Sequence, residues 1–175
     1  VNMIFNNAGV ALGSTVEGSN YEDLEWIMGI NYWGVVYGTK EFLPYLKKTG
    51  EGHIINTSSL FGLTAQPTQS AYNSTKFAVR GFTESLRQEL DIENSGVSAL
   101  SVHPGGIRTN IANDARMSDS IKSMGMNPEK SAKAFNKLLR MPAEEAAQQI
   151  LDAVLKNKRR LLIGNDAKTL DLIQR

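Results

Sequence analysis

The chain has 175 residues, 41% hydrophobic and 21% charged, with a formal net charge of +1. That balance fits one soluble domain with a sizeable core, and so small a charge gives no long-range field for nucleic acid or an anionic membrane. The absence of cysteine excludes disulfides, thiolate metal sites and cysteine nucleophiles. With no apolar run near the ~20 residues of a membrane span and no signal-peptide pattern, a cytoplasmic location is expected.

Val1-Asn2-Met3-Ile4-Phe5 opens the chain without an initiator Met and reads as a buried strand, as if the sequence began inside a domain. The strand, Asn2 to Asn6, ends in the turn Asn6-Asn7-Ala8-Gly9. Asp23 to Leu46 has helical periodicity, with Leu24, Ile27, Met28, Val35 and Phe42 on one face. Asn31 sits mid-helix, where Asn is unfavourable unless something requires it, and Pro44 should kink or end the helix. A turn at Gly50-Glu51-Gly52 precedes a strand, His53 to Thr57, flanked by Ser58 and Ser59. Ser70 to Asn94 is a second long helix, with Ala71, Thr75, Ala78, Phe82, Leu86 and Leu90 on one face.

Val97 to Val102 is a third strand, closed by His103-Pro104-Gly105-Gly106. Residues 107–141 form a long stretch holding short helices, one beginning at Pro128. A connection of this length is commonly functional and is expected to be a substrate lid. Pro142 opens a helix through Lys156, and Arg160 to Ile163 is a last strand stopped by Gly164.

Apolar strands separated by helices imply an α/β fold: a Rossmann-like, doubly wound parallel sheet of about four strands. Ligands bind such sheets at the carboxyl ends of the strands. Asn6 to Gly9, Ser58-Ser59 and Pro104 to Thr109 all follow strand ends.

Tyr72 and Lys76 are four apart and share a helix face. A phenol titrates near ~10 and is a poor base at neutral pH. A neighbouring ammonium favours the phenolate, so the pair is a candidate general acid/base. An isolated pair of this kind is usually plain helix surface. Here Ser59 ends the preceding strand, where its hydroxyl could hold a substrate oxygen against the phenol; the plainer reading of both serines is a turn or N-cap. For Asn31 the alternatives are a helix bend, a bound water or a core polar contact.

Asn6-Asn7-Ala8-Gly9, Asn31, Ile54 to Ser59, Tyr72-x-x-x-Lys76 and Pro104-Gly105-Gly106 together resemble the ordered motifs of the classical short-chain dehydrogenase/reductase family, over Val1 to Gly164. The resemblance implies a partial NAD(P)-binding domain over residues 1–175, with NAD or NADP as cofactor and an alcohol or carbonyl substrate. It implies Tyr72 as acid/base, Lys76 lowering its pKa and binding the nicotinamide ribose, and Ser59 rather than Ser58 orienting the substrate. Asn31 would hold a water relaying protons to Lys76. Asn6, Ala8 and Gly9 would form the floor beneath the cofactor. Pro104 and Gly105 would flank the nicotinamide, with Ile107 and Thr109 near its carboxamide or phosphate.

The family's glycine-rich first turn, and the residues that choose NAD or NADP, have no counterpart here, so the chain resembles the family from its fourth strand onward and is expected to be a fragment. The alternatives are a non-catalytic dinucleotide-sensing or scaffolding relative, an inactive remnant, and an epimerase or dehydratase of the extended branch. A homodimer or homotetramer is implied, through Trp33, Val36, Tyr37 and Phe42.

His53 and His103 lack metal-ligand spacing and read as structural. Trp26, Trp33 and Tyr37 read as core or interface residues. Lys156, Lys158, Arg159 and Arg160 read as a solvated helix end, and Arg80, Glu84 and Arg87 as a surface ion-pair row. Ile107, Ile111, Met117, Ile121, Met124 and Met126 either line an adaptable pocket for a hydrophobic ketone or secondary alcohol, or pack the short helices.

Overall fold

The computed structural model describes residues 1–174. The chain runs through β1 (Met3–Asn6), β2 (Leu12–Gly13), α1 (Tyr21–Met28), a π-helical turn (Gly29–Trp33), α2 (Gly34–Thr49) and β3 (Gly52–Thr57). A 3₁₀ turn (Leu60–Gly62) leads to α3 (Ser70–Glu93) and β4 (Val97–Pro104). Two further 3₁₀ turns (Asn110–Ala112 and Asp119–Met124) bracket β5 (Arg116–Met117). Then come α4 (Pro128–Leu138), α5 (Ala143–Leu155), β6 (Arg160–Ile163) and α6 (Asn165–Gln174).

The main sheet is parallel throughout, in the order β1-β3-β4-β6. Its central strands are apolar because both faces are covered. On one face Leu46 of α2 and Leu86 and Leu90 of α3 pack on Ile4, Ile54 and Ala99. On the other, Ala146, Ala153 and Val154 of α5 pack on Ile55, Leu100, Val102, Leu161 and Ile163. Each large aliphatic side chain so buried contributes about 1.5–3 kcal/mol. This is the α/β Rossmann-like architecture expected, with every carboxyl strand end on one edge.

Several local features differ from expectation. Pro44 does not end the helix: α2 continues to Thr49 and stops at Gly50 in the left-handed region, φ 73°. Pro44 and Lys40 are both exposed, on the side of α2 where losing the hydrogen bond to the Lys40 carbonyl costs least. Gly164 ends β6, but α6 follows directly. The short parallel pair β2-β5 is also additional.

Arg159 and Arg160 are not a simple solvated helix end. Arg160 enters β6 and pairs with Glu84 and Asp171, and Arg159 pairs with Asp91. Arg87 leaves the expected surface row. It is 6% exposed and bonds Asp91 at 3.0 Å, while Arg80 pairs with Glu84. Val36 is buried, whereas Trp33, Tyr37 and Phe42 are exposed. Among the described residues no His, Asp and Glu cluster could hold a metal, and no helix is long and apolar enough to cross a membrane.

Candidate active site

The carboxyl ends of β1, β3 and β4 open on one edge, and the first turns of α3 lie across it. Tyr72 and Lys76 follow one another on the buried side of that helix. The Lys76 Nζ donates to the Thr57 carbonyl at 3.0 Å and lies 5.6 Å from the Tyr72 ring centre. Burial lowers the Lys76 pKa to about 8. Burial also pushes the Tyr72 phenol above its ordinary value, and the Ser59 hydroxyl opposes this only in part. The expected depression of the phenol is therefore not present in the chain by itself: desolvation of the phenolate outweighs its neighbours.

The two serines at the end of β3 do different things. The Ser58 hydroxyl donates to the Lys76 carbonyl at 2.8 Å and ties the strand end to α3. Ser59 caps the following 3₁₀ turn, its Oγ accepting the Phe61 N–H at 3.0 Å. That leaves the Ser59 O–H free to donate toward the phenol. Gly62 lets the turn nest on α3, since a Cβ there would lie 2.2 Å from the Ser58 Oγ and 2.7 Å from the Lys76 carbonyl oxygen.

Asn31 is fully buried in the π-helical turn. Its Oδ1 accepts the Val10 N–H at 2.8 Å, and its Nδ2 donates to the Val10 carbonyl and the Thr75 hydroxyl. This accounts for a mid-helix Asn: it clamps the segment after β1 and uses both amide hydrogens doing so.

The Asn6 side chain turns inward, donating to Thr39 at 3.1 Å and to Asn56 at 2.8 Å. Its amide therefore braces the strand end against Thr39 and Asn56. Ala8 is exposed at the edge, and beside it Gly9 leaves a gap bounded by the Lys76 Nζ and the Asn31 Oδ1.

At the end of β4, Pro104 and Gly105 are half-buried and Thr109 is exposed. The Ile107 N–H is already given to the Gly105 carbonyl at 2.9 Å, and the Ile107 side chain packs on the α5 core. Thr109 caps the next 3₁₀ turn.

Residues 1–120 match the family model described as short chain dehydrogenase. The chain belongs to the short-chain dehydrogenase/reductase family. All of it aligns with SadH of Mycobacterium tuberculosis at 45% identity and spans 62% of that protein's length. A short-chain dehydrogenase/reductase from Burkholderia phymatum, solved with NAD, superposes with a TM-score of 0.83 at 26% identity over 93% of this chain and 60% of its own. A short-chain dehydrogenase from Burkholderia cenocepacia, solved with NADP, shares the fold with a TM-score of 0.75, 24% identity, and coverage of 98% and 63%.

Three side chains that sequence reasoning did not assign to the site also stand at this edge of the short-chain dehydrogenase/reductase chain. Phe61 meets the Tyr72 ring edge-on at 6.2 Å and stacks on Phe135 of α4 at 6.5 Å. The position of Phe61 shortly after Ser59 was the one usable signal, because α4 reaches it only through the tertiary fold. Asp166 of α6 accepts the Gly106 N–H at 2.8 Å, and nothing in the sequence marks it. Within residues 107–141, Ile111 packs, like Phe61, against the cluster that holds Tyr72, Ile121 is fully buried, and Met124 and Met126 are exposed.

Proposed function

We propose that the chain carries the proton-transfer half of an oxidoreductase that moves a hydride between NAD or NADP and an alcohol or ketone. The observation that carries this reading is the meeting of Tyr72, Lys76 and Ser59 at the carboxyl edge of a parallel sheet. The edge also fits the cofactor. Lys76 gives one hydrogen bond to Thr57 and, as an ammonium, has further donors for ribose hydroxyls. The space a Gly9 side chain would fill borders the Lys76 Nζ at 3.4 Å and the Asn31 Oδ1 at 3.5 Å.

When bound, the nicotinamide supplies or accepts the hydride at the substrate carbon. Ser59 donates to the substrate oxygen and orients it. In reduction the Tyr72 phenol passes its proton to that oxygen, and in oxidation the phenolate takes it back. With its pKa near 8, Lys76 is mostly an ammonium at neutral pH and stabilises the phenolate. Asn31 holds a water that relays protons to Lys76 through the Oδ1 lone pair left over. Pro104, Gly105 and Thr109 border the nicotinamide end.

The apolar wall of Phe61, Phe135 and Ile111 suits a hydrophobic ketone or secondary alcohol, with residues 107–141 as the lid. Trp33, stacked on Tyr37 at 5.7 Å and exposed beside Phe42, suits packing against a second copy.

The test is Tyr72→Phe in the whole protein. Removing a positioned acid/base costs about 10²–10⁴-fold in kcat, with cofactor affinity retained. A near-normal kcat would remove Tyr72 from this role.

A further inference from the structure

We infer that His103 is a positioning residue for proton transfer: it anchors the Ser59 peptide so that the Ser59 hydroxyl faces Tyr72. The inference rests on the proposed role of Ser59 and Tyr72. His103 is fully buried at the end of β4. Its Nδ1 lies 3.0 Å from the Ser59 carbonyl oxygen and its Nε2 lies 2.9 Å from the Ser101 Oγ.

A carbonyl only accepts, so Nδ1 must carry the proton. Nε2 is then the acceptor, and the Ser101 hydroxyl donates to it. The ring is held neutral, with a pKa of about 4, chiefly by burial and further by Arg160 and Arg80, against the Ser59 carbonyl and Glu84. This tautomer, and with it the donation to Ser59, thus persists across the neutral range.

What the contact fixes is the plane of one peptide. The Ser59 carbonyl also accepts the Gly62 N–H at 3.0 Å, while its Oγ accepts the Phe61 N–H. His103 is the anchor that reaches Ser59 from a different strand, across the β3-β4 pairing. Ser58 ties the strand end to α3 and β4, but without His103 the Ser59 carbonyl keeps only the Gly62 N–H, so this one peptide can tilt and carry the hydroxyl away from the phenol. Errors of about 1 Å at a reacting centre cost on the order of 10²-fold.

The experiment has two arms in the whole protein. In the wild type, ¹⁵N spectra of the His103 ring should show the proton on Nδ1 at neutral pH; an Nε2–H ring overturns the proposal. The second arm compares His103→Asn, whose amide nitrogen replaces Nδ1, with His103→Gln, whose amide reaches toward Ser101, and with His103→Leu. Two quantities are read: the Tyr72 titration by ¹³Cζ-tyrosine spectra, assigned with Tyr72→Phe, and kcat for acetophenone with NADH or NADPH.

Leu and Gln should raise the Tyr72 midpoint, because the Ser59 hydroxyl that lowers it is displaced, and should cut kcat roughly 10–100-fold with little change in cofactor KM. Asn should restore both to within a few-fold. If Gln matches Asn, or the Tyr72 midpoint does not move in the folded variants, His103 does not position Ser59. The titration needs no turnover, so it decides this point even where an active Tyr72→Phe enzyme defeats the proposed function.

Discussion

Lys76 carries an energetic cost that its position makes unavoidable. In the unfolded chain it is charged up to about 10.5, and in the folded chain only up to about 8. Between those values the unfolded state binds the extra proton, so stability rises with pH across that window. The penalty is therefore complete below about 8, on the order of 3 kcal/mol, and gone above about 10.5. Lys76→Met keeps the stem volume and removes the charge, but leaves the Thr57 carbonyl short of a donor, at about 1 kcal/mol. The variant should be more stable by roughly 1–2 kcal/mol at neutral pH, with the gain lost in strong alkali. Urea midpoints at both pH values measure this, and equal midpoints at neutral pH would defeat it. The spacing of Tyr72 and Lys76 was legible in the sequence because a helix fixes which residues share a face. Their pKa values were not, because burial is set by β3 and the 3₁₀ turn. For the same reason the sequence placed Asn6 at the right strand end but not its inward direction, which depends on Thr39 and Asn56 arriving from other elements.

At the level of elements, the turn after β4 is held from α6, which the sequence pattern did not reveal: Gly164 looked like an ending, and the polar Asn165-Asp166 start gave no apolar rhythm. Asp166 accepts N–H groups from Gly106 at 2.8 Å and Ala167 at 2.9 Å. A Cβ on Gly105 would stand 2.1 Å from its Oδ1. Gly105→Ala must therefore turn the carboxylate away and lose the Gly106 bond, at a cost of about 1–2 kcal/mol. Asp166→Ala should cost a similar amount. The double variant should cost less than the sum by on the order of 1 kcal/mol, since both single changes remove the same contact. Additive denaturation energies would mean that the two residues are not coupled. The long helices were legible because their apolar faces repeat over many turns. The segment 107–141 was legible only as a length of chain, since its 3₁₀ turns and the β2-β5 pair involve few residues each and depend on partners distant in sequence.

In the whole molecule, the four-stranded sheet is closed unevenly. β4 lies between β3 and β6, with helices on both faces, while β1 has β3 as its one partner among the described residues. Ile4 faces the α2 and α3 side, but Met3 and Phe5 alternate to the other face, which α5 covers over β4 and β6. They are 36% and 48% exposed, an apolar strip on an open strand edge. Such an edge templates further strand pairing. Ser59, Tyr72 and Lys76 lie one strand further in, on the end of β3 and on α3, so the open margin affects the chain's solubility before it affects the geometry of Tyr72. Produced alone, these 175 residues should therefore self-associate in dilute solution through β1. Phe5→Lys places a charge on the strip and should slow that association several-fold while leaving the far-ultraviolet circular dichroism unchanged. Light scattering over time compares the two. Equal growth in both would place the sticky surface elsewhere, with the exposed Trp33, Tyr37 and Phe42 face of α2 the next to probe.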